Sequence, residues 1–278
     1  MKPYYQDNLT RLYCADNRDL LPYWTEKSVD LVLTDPPFSD WTHIGARTNP
    51  ETQAGAWVTG GNEPAPMIEF DAVSDGQLRT TFDRLGYLAR RWVIAHMDWR
   101  HYADMERLPP AFLRPVRMGI WDKPNGAPQF TGDRPATGWE AIGIFHRIER
   151  WREQVNGRRY AEGGRMAWNG GGHRAVWRAN KINDPFNPTA KPPELVSLLI
   201  ELFSNSGDLI LDPFAGVGTT LLCARALGRY AIGVEQDKAQ CAEIVRRLHP
   251  TFGAPVRRKQ AVAPFDALPM FSEEPAAC

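Results

Sequence analysis

The sequence is short of cysteine, carries no excess of either charge, and has no long apolar run. Its 278 residues include 4 cysteines (Cys14, Cys223, Cys241, Cys278), and no two form a Cys-x-x-Cys pair. That argues against a disulfide framework and against a zinc site, and makes a reducing cytoplasm the default compartment. Lys plus Arg and Asp plus Glu number 33 each, so net charge speaks neither for nor against a nucleic-acid partner. No run approaches the ~20 apolar residues of a membrane span. Met1 to Thr10 is too polar for a signal peptide. At 43% hydrophobic and 24% charged residues, the chain has an ordinary globular composition and a length suited to one large domain or a core with one insertion.

What is present is an alternation of strand-like and helix-like segments. Leu9–Cys14, Val29–Thr34, Trp92–Ala95, Met118–Trp121, Ala141–Phe145, Asp208–Leu211 and Tyr230–Val234 read as strands. Leu78, Phe82, Leu85 and Leu88 recur at helical spacing between Asp75 and Arg90. Leu195, Leu198, Leu199, Leu202 and Phe203 stripe a helix opened by Lys191-Pro192-Pro193-Glu194, since proline suits a first helical turn. Arg18–Trp24, Thr219–Leu227 and Lys238–Leu248 complete the helices. The pattern predicts an α/β fold with a doubly wound, mostly parallel sheet. Between Phe38 and about Pro66 the chain is polar and aperiodic, as functional or disordered stretches are.

Two motifs follow predicted strands. Asp212-Pro213-Phe214-Ala215-Gly216-Val217-Gly218-Thr219-Thr220 places two glycines between a strand and a helix, where backbone can approach a ligand closely. Glu235 ends the next strand, at about the 20-residue distance from which an acid reaches ribose hydroxyls. A nucleoside cofactor, a nicotinamide dinucleotide and a purely structural turn all fit a glycine turn. Leu221 stands where the dinucleotide fingerprint has a small residue, and Asp-Pro-Phe is foreign to that fingerprint. Thr34-Asp35-Pro36-Pro37-Phe38 is the second motif. A carboxylate and a backbone carbonyl, from Asp35 and Pro36, can accept the two hydrogens of an exocyclic amine and localise its lone pair. Pro36 and Pro37 stiffen the loop, and Phe38 can stack on a base. The bland alternative is a proline turn after a buried strand.

Charge is also uneven along the chain. Residues 147–184 hold Arg147, Arg150, Arg152, Arg158, Arg159, Arg165, Arg174, Arg178 and Lys181 against Glu149, Glu153, Glu162 and Asp184, with Trp151, Tyr160, Trp168 and Trp177 interleaved. Such a stretch suits a phosphate backbone and stacked bases. It equally suits a solvated basic surface over a few buried tryptophans.

Together the motifs resemble the β class of amino-methyltransferases of DNA, in which the catalytic motif precedes the cofactor motif; the resemblance spans most of residues 9–250. Asn187-Pro188-Thr189-Ala190-Lys191-Pro192 is similar to the family's His-Pro-Thr-x-Lys-Pro segment, with Asn187 in the place of His. Cys14-Ala15-Asp16 stands where the family has Gly-Asp, and Trp121-Asp122-Lys123 resembles its Trp-x-Lys motif. The resemblance implies a Rossmann-like methyltransferase sheet with circularly permuted motif order and a small inserted target-recognition segment. It implies a catalytic half at 1–146, a target-recognition segment at 147–185, a cofactor half at 186–253 and a tail at 254–278. It implies S-adenosyl-L-methionine held by Asp16, Thr189, Lys191, Asp212, Phe214, Gly216, Gly218, Thr219 and Glu235. Catalysis falls to Asp35, Pro36, Pro37 and Phe38, and double-stranded DNA to Lys123, Arg158, Arg159, Arg174 and Arg178. No metal or membrane is expected, and a homodimer is left open.

The implied activity is site-specific methylation of the adenine N6 amine in a flipped-out base, as in restriction-modification systems. Asp35 at the first motif position favours adenine over the family's N4-cytosine reaction. A module that holds cofactor and DNA without turnover is the alternative from another class. In the tail, Ala267-Leu268-Pro269-Met270-Phe271 loosely resembles peptides that dock on bacterial sliding clamps; Leu268 and Phe271 either do so or pack on the protein body.

Overall fold

The structure is a computed structural model that describes residues 1–38, 75–126, 133–153, 159–163 and 166–249. The long polar stretch after Phe38, Arg158, Arg165 and the tail with its Leu268 and Phe271 lie outside the described residues.

Strands β1 (Tyr5–Gln6), β2 (Thr10–Cys14), β3 (Val29–Thr34), β4 (Ala89–Met97), β5 (Leu113–Asp122), β6 (Trp139–Arg147), β9 (Val176–Arg178), β10 (Leu209–Asp212) and β11 (Tyr230–Glu235) form one sheet; β7 (Arg150–Glu153) and β8 (Arg159–Glu162) pair separately. The order is β1-β2-β11-β10-β3-β4-β6-β5-β9. From β2 to β4 every neighbour is parallel, whereas β6 runs antiparallel between β4 and β5. The predicted mostly parallel sheet is thus present, with β1 antiparallel at one edge and β6 antiparallel near the other.

Helices cover both faces, as a parallel sheet requires. On one face lie α4 (Pro193–Phe203), α5 (Thr219–Ala226) and α6 (Lys238–Leu248), packing Leu199, Ile200, Leu221 and Ile244 against Leu31, Ile94, Ile142 and Ile210. On the other lie α1 (Asn17–Leu20), α2 (Asp75–Leu88) and α3 (Trp99–Arg107). There α2 buries Leu78, Phe82, Leu85 and Leu88, and Phe82 meets Phe145 edge-on at 5.3 Å. Helix α3 escapes periodicity because it is short and buries only His101, Tyr102 and Met105. Its signal is the cap: Asp98 Oδ1 accepts from Arg100 N at 3.0 Å.

The segment set off at 147–185 is heterogeneous. Its second part joins the core: β9 pairs with β5, Trp177 is buried, Trp168 packs on Phe203 at 5.6 Å, and Trp92 Nε1 donates to Ala167 O. Its first part is the β7–β8 hairpin. Because β6 is antiparallel, the hairpin leaves from the amino-end rim of the sheet. It is fastened there by Lys27 Nζ to Glu149 (2.8 Å) and Trp151 Nε1 to Pro110 O (3.1 Å).

The carboxyl-end rim gathers the ends of β2, β11, β10, β3, β4, β5 and β9, together with the start of β6. Ligands of parallel sheets bind at this rim. Among the described residues no helix is long and apolar enough to cross a membrane.

Candidate active site

The glycine loop joins β10 to α5 at this rim. Gly216 (φ +54) and Gly218 (φ +81) both take left-handed backbone, which side chains resist. Gly218 caps α5, its N–H donating to Ala215 O at 2.7 Å. A Cβ on Gly218 would lie 2.9 Å from Ile244, a core side chain of α6. Glycine is demanded here by backbone and packing rather than by space for a ligand. A Cβ on Gly216 would instead meet Asn187 Nδ2 at 3.2 Å, which draws the Asn187–Thr189 turn onto the loop. That turn is tied by Thr189 N and Oγ1 donating to Asn187 Oδ1.

Acids ring the loop. Glu235 accepts from Gly216 N and Asp237 N, both at 2.8 Å, so its carboxylate fixes the loop as well as facing the rim; burial pushes its pKa up. Asp16 caps α1 through Arg18 N (2.8 Å) and pairs with the Arg18 guanidinium, whose hydrogen bonds hold its carboxyl below the usual range. Asn17 Nδ2 ties this turn to Pro213 O at 3.0 Å. Asp212 is buried and accepts from Thr34 Oγ1 at 2.8 Å and Phe214 N at 3.1 Å. Burial pushes its carboxyl up to about 6, against those hydrogen bonds. Phe214 and Thr219, at the two ends of the loop, are half-buried.

The Thr34–Asp212 bond joins the cofactor-type loop to the catalytic-type loop, because β10 and β3 are parallel neighbours. Asp35 leaves β3 on the α4 face; Pro36 is buried, and Pro37 and Phe38 are half-buried. Lys191, expected among the cofactor ligands, turns its ammonium here instead. Its Nζ lies 2.5 Å from Asp35 Oδ2, 3.3 Å from Glu140 Oε1 and 5.5 Å from the Phe38 ring centroid. Lys123, expected on DNA, is also drawn in: its Nζ sits 2.7 Å from Glu140 Oε2 and 4.4 Å from the Trp121 ring centroid. His96 Nδ1 approaches Glu140 Oε1 at 3.3 Å. Two acids, two lysines and His96, from five separate stretches of chain, share one cluster. Side-chain exposures of 8% for Lys191 and 11% for Glu140 keep its centre out of bulk water.

Burial and charge act differently on its members. Burial pushes Asp35 up, the Glu140 charge adds to this, and Lys191 and His96 oppose it. Burial also acts to raise Glu140, but Lys191, His96 and Lys123 outweigh it and hold Glu140 ionised, well below the usual range. Burial disfavours the Lys191 ammonium, and the two carboxylates more than restore it. Among the described residues, the buried Asp35 Oδ1 has no hydrogen-bond partner. A buried acceptor left unpaired is costly and marks a place where a donor is wanted.

The expected DNA contacts divide. Arg178 is exposed at the carboxyl end of β9, on the rim that carries Asp35, and its Nε donates to Asp122 at 2.7 Å, while Arg174 is exposed two residues before β9 begins. Arg159 begins β8 in the hairpin rooted at the opposite rim. Sequence reading missed Glu140, His96, Thr34 and Asn17. His96 had one signal, a polar residue inside an otherwise buried strand; Glu140, at the second position of β6 beside exposed Trp139, had none.

Residues 113–246 match the family model for the DNA methylases of the N6/N4 type. The chain is 26% identical over 264 residues to the type II methyltransferase M.HinfI of Haemophilus influenzae, covering 89% of this chain and 70% of that enzyme. It is 25% identical over 257 residues to M2.DpnII of Streptococcus pneumoniae, covering 85% and 88%. A shorter match of 34% over 120 residues reaches M.XycI of Xanthomonas campestris pv. cyanopsidis, covering 42% of this chain and 38% of that enzyme. In fold the chain is similar to the cytosine-N4-specific PvuII DNA methyltransferase, with a TM-score of 0.62 at 15% identity over 89% of each chain. It is also similar to M1.HpyAVI in complex with SAM, with a TM-score of 0.56 at 19% identity over 87% of this chain and all of that one. The Rossmann-like methyltransferase fold expected from the motifs is therefore present.

Proposed function

We propose that this protein transfers a methyl group from S-adenosyl-L-methionine to the N6 amine of adenine in a base turned out of duplex DNA. The observation that carries the reading is the unpaired, buried Asp35 Oδ1 beside a glycine loop on the neighbouring parallel strand. The loop residues fit a sulfonium nucleoside: left-handed Gly216 offers close backbone, Gly218 holds the turn that presents it, and Asp16, Asp212 and Glu235 surround it with negative charge that suits a cation and ribose hydroxyls. Asp16, Thr189, Asp212, Phe214, Gly216, Gly218, Thr219 and Glu235 would hold the cofactor, which supplies an electrophilic methyl group.

The protein's own part is positioning and electrostatics. Asp35 Oδ1 accepts one amine hydrogen and the Pro36 carbonyl the other. The nitrogen then moves toward tetrahedral geometry and its lone pair leaves the ring. Pro37 keeps the loop rigid, and Phe38 stacks on the base. Asp35 draws the proton that the methylated amine must shed. Arg178, on the same rim, and the exposed Arg174 ahead of β9 face the phosphates, and the exposed Trp99 and Trp139 flank the approach.

The N4-cytosine reaction is the second reading, favoured by the likeness in fold to the PvuII enzyme; Asp35 is the feature that favours adenine. The deciding experiment incubates the protein with labelled S-adenosylmethionine and duplex DNA of mixed sequence, then separates the nucleosides by mass spectrometry. N6-methyladenine is expected. N4-methylcytosine would replace the first reading with the second. Cofactor and DNA binding without any methylated nucleoside would make the protein a binding module.

A further inference from the structure

We infer that Glu140 is a positioning residue for methyl transfer: it holds the Lys191 ammonium against Asp35 Oδ2, so that Asp35 offers only Oδ1 to the target amine. The inference rests on the function proposed above but names residues that it does not use.

Its basis is a shared cation. Lys191 Nζ is 2.5 Å from Asp35 Oδ2 and 3.3 Å from Glu140 Oε1, so one ammonium serves two carboxylates. A lysine is a point charge on a flexible stem, and alone it could slide to either oxygen of Asp35. Glu140 prevents that, because it is itself fixed. Strand β6 carries it, Lys123 Nζ holds its Oε2 at 2.7 Å, and His96 Nδ1 stands 3.3 Å from its Oε1. Lys191 cannot swing away from the cluster either, since its Nζ also donates to Thr189 O at 3.3 Å. The result is an Asp35 carboxylate with one oxygen engaged and the other buried and, among the described residues, unpaired.

Glu140 also acts on Asp35 through its charge. The titratable groups around Asp35 are Lys191 ahead of α4, Glu140 on β6, His96 on β4, Lys123 after β5 and Asp212 on β10. The negative charge of Glu140, added to burial, pushes Asp35 up. Removing it leaves Lys191 wholly to Asp35, which lowers the pH at which Asp35 ionises. Methyl transfer needs ionised Asp35, so the acid limb of the rate profile follows that pH.

The test compares kcat, the KM values for DNA and cofactor, and the kcat–pH profile of the wild type with those of Glu140→Gln, Glu140→Asp and Lys123→Met. For Glu140→Gln, kcat falls roughly tenfold to a hundredfold with little change in either KM, because Asp35 loses its orientation. Its acid limb moves to lower pH. Glu140→Asp keeps the charge, so its acid limb stays in place while kcat falls. Lys123→Met leaves Glu140 less compensated and moves the limb to higher pH, which keeps the idea testable if thermal unfolding shows that Glu140→Gln has not folded. An unchanged kcat in Glu140→Gln, or a lowered kcat with an unmoved limb, would overturn the inference and make Glu140 a structural ion-pair partner. Wild-type protein that methylates no DNA would overturn the proposed function instead, so the two failures are separable.

Discussion

The two loops at the heart of the site are neighbours on parallel strands, yet they are built by opposite means. The glycine loop after β10 is held by backbone: left-handed Gly216 and Gly218, the cap on α5, and N–H groups donated to Glu235. The Asp35 loop after β3 is held by charge: Lys191, Glu140 and Lys123 reach it from distant parts of the chain. A backbone-built loop tolerates little local change, whereas a charge-built one is tuned from far away. The comparison predicts that mutations near the first damage affinity and stability, and those near the second damage turnover.

The largest effect falls on Asp35. Asp35→Ala should lower kcat by roughly a thousandfold or more while calorimetry with S-adenosylhomocysteine gives nearly wild-type affinity. Turnover close to wild type would break the division between the loops. Gly218→Val should do the reverse. A β-branched residue at φ +81, with its Cβ 2.9 Å from Ile244, costs at least about 2 kcal/mol of stability and displaces the loop, so cofactor affinity should collapse. Unchanged affinity would move the cofactor site elsewhere.

Asp212 lies between the loops and gives a pH test. Its carboxyl is raised from 3.8 to about 6, so the folded state favours the protonated form. Its contribution is fully present below pH 3.8, is lost as pH rises through about 6, and leaves the protein burdened by a buried charge at neutral pH. Asp212→Asn keeps an acceptor for Thr34 and Phe214. It should therefore raise stability near pH 7 by at most about 3 kcal/mol, with the gain vanishing toward pH 4. Thermal unfolding at the two pH values measures this. An equal gain at both would deny the raised carboxyl.

The smallest effects concern the basic residues. Arg174→Ala with Arg178→Ala should weaken DNA binding about tenfold and reduce its salt slope by about two units. Arg158→Ala with Arg159→Ala should do less, because Arg159 begins β8 in the hairpin rooted at the far rim. Filter binding across a salt series compares the pairs. A larger loss from the hairpin pair would reverse their assignment and bring that hairpin to the DNA.

The same contrast explains what could be read in the sequence. Strands such as Val29–Thr34 and Leu209–Asp212 are apolar because both of their faces are covered, and the helical stripe over Leu195–Phe203 is the contact of α4 with the sheet. The glycine loop was legible because its geometry is local: each requirement falls within a few residues of the next. The charge cluster was not, because Asp35, Glu140 and Lys191 meet only once β3, β6 and the lead into α4 are side by side. Sequence placed Lys191 with the cofactor and Lys123 with DNA; it could not register that Glu140 lies between them. Nor could it divide the basic segment into a hairpin and a core strand, since that division depends on β6 running antiparallel.

One consequence of the cluster concerns how DNA arrives. Asp35 and Glu140 alone would set two like charges in the path of a polyanion, slowing every encounter at low ionic strength. Lys191 and Lys123 cancel them formally at ion-pair range, so the far field of the pocket is that of short dipoles and fades much faster with distance than that of a net charge. A phosphate strand nearing this rim is met by the exposed Arg178 of β9 and not by the acids that the chemistry requires.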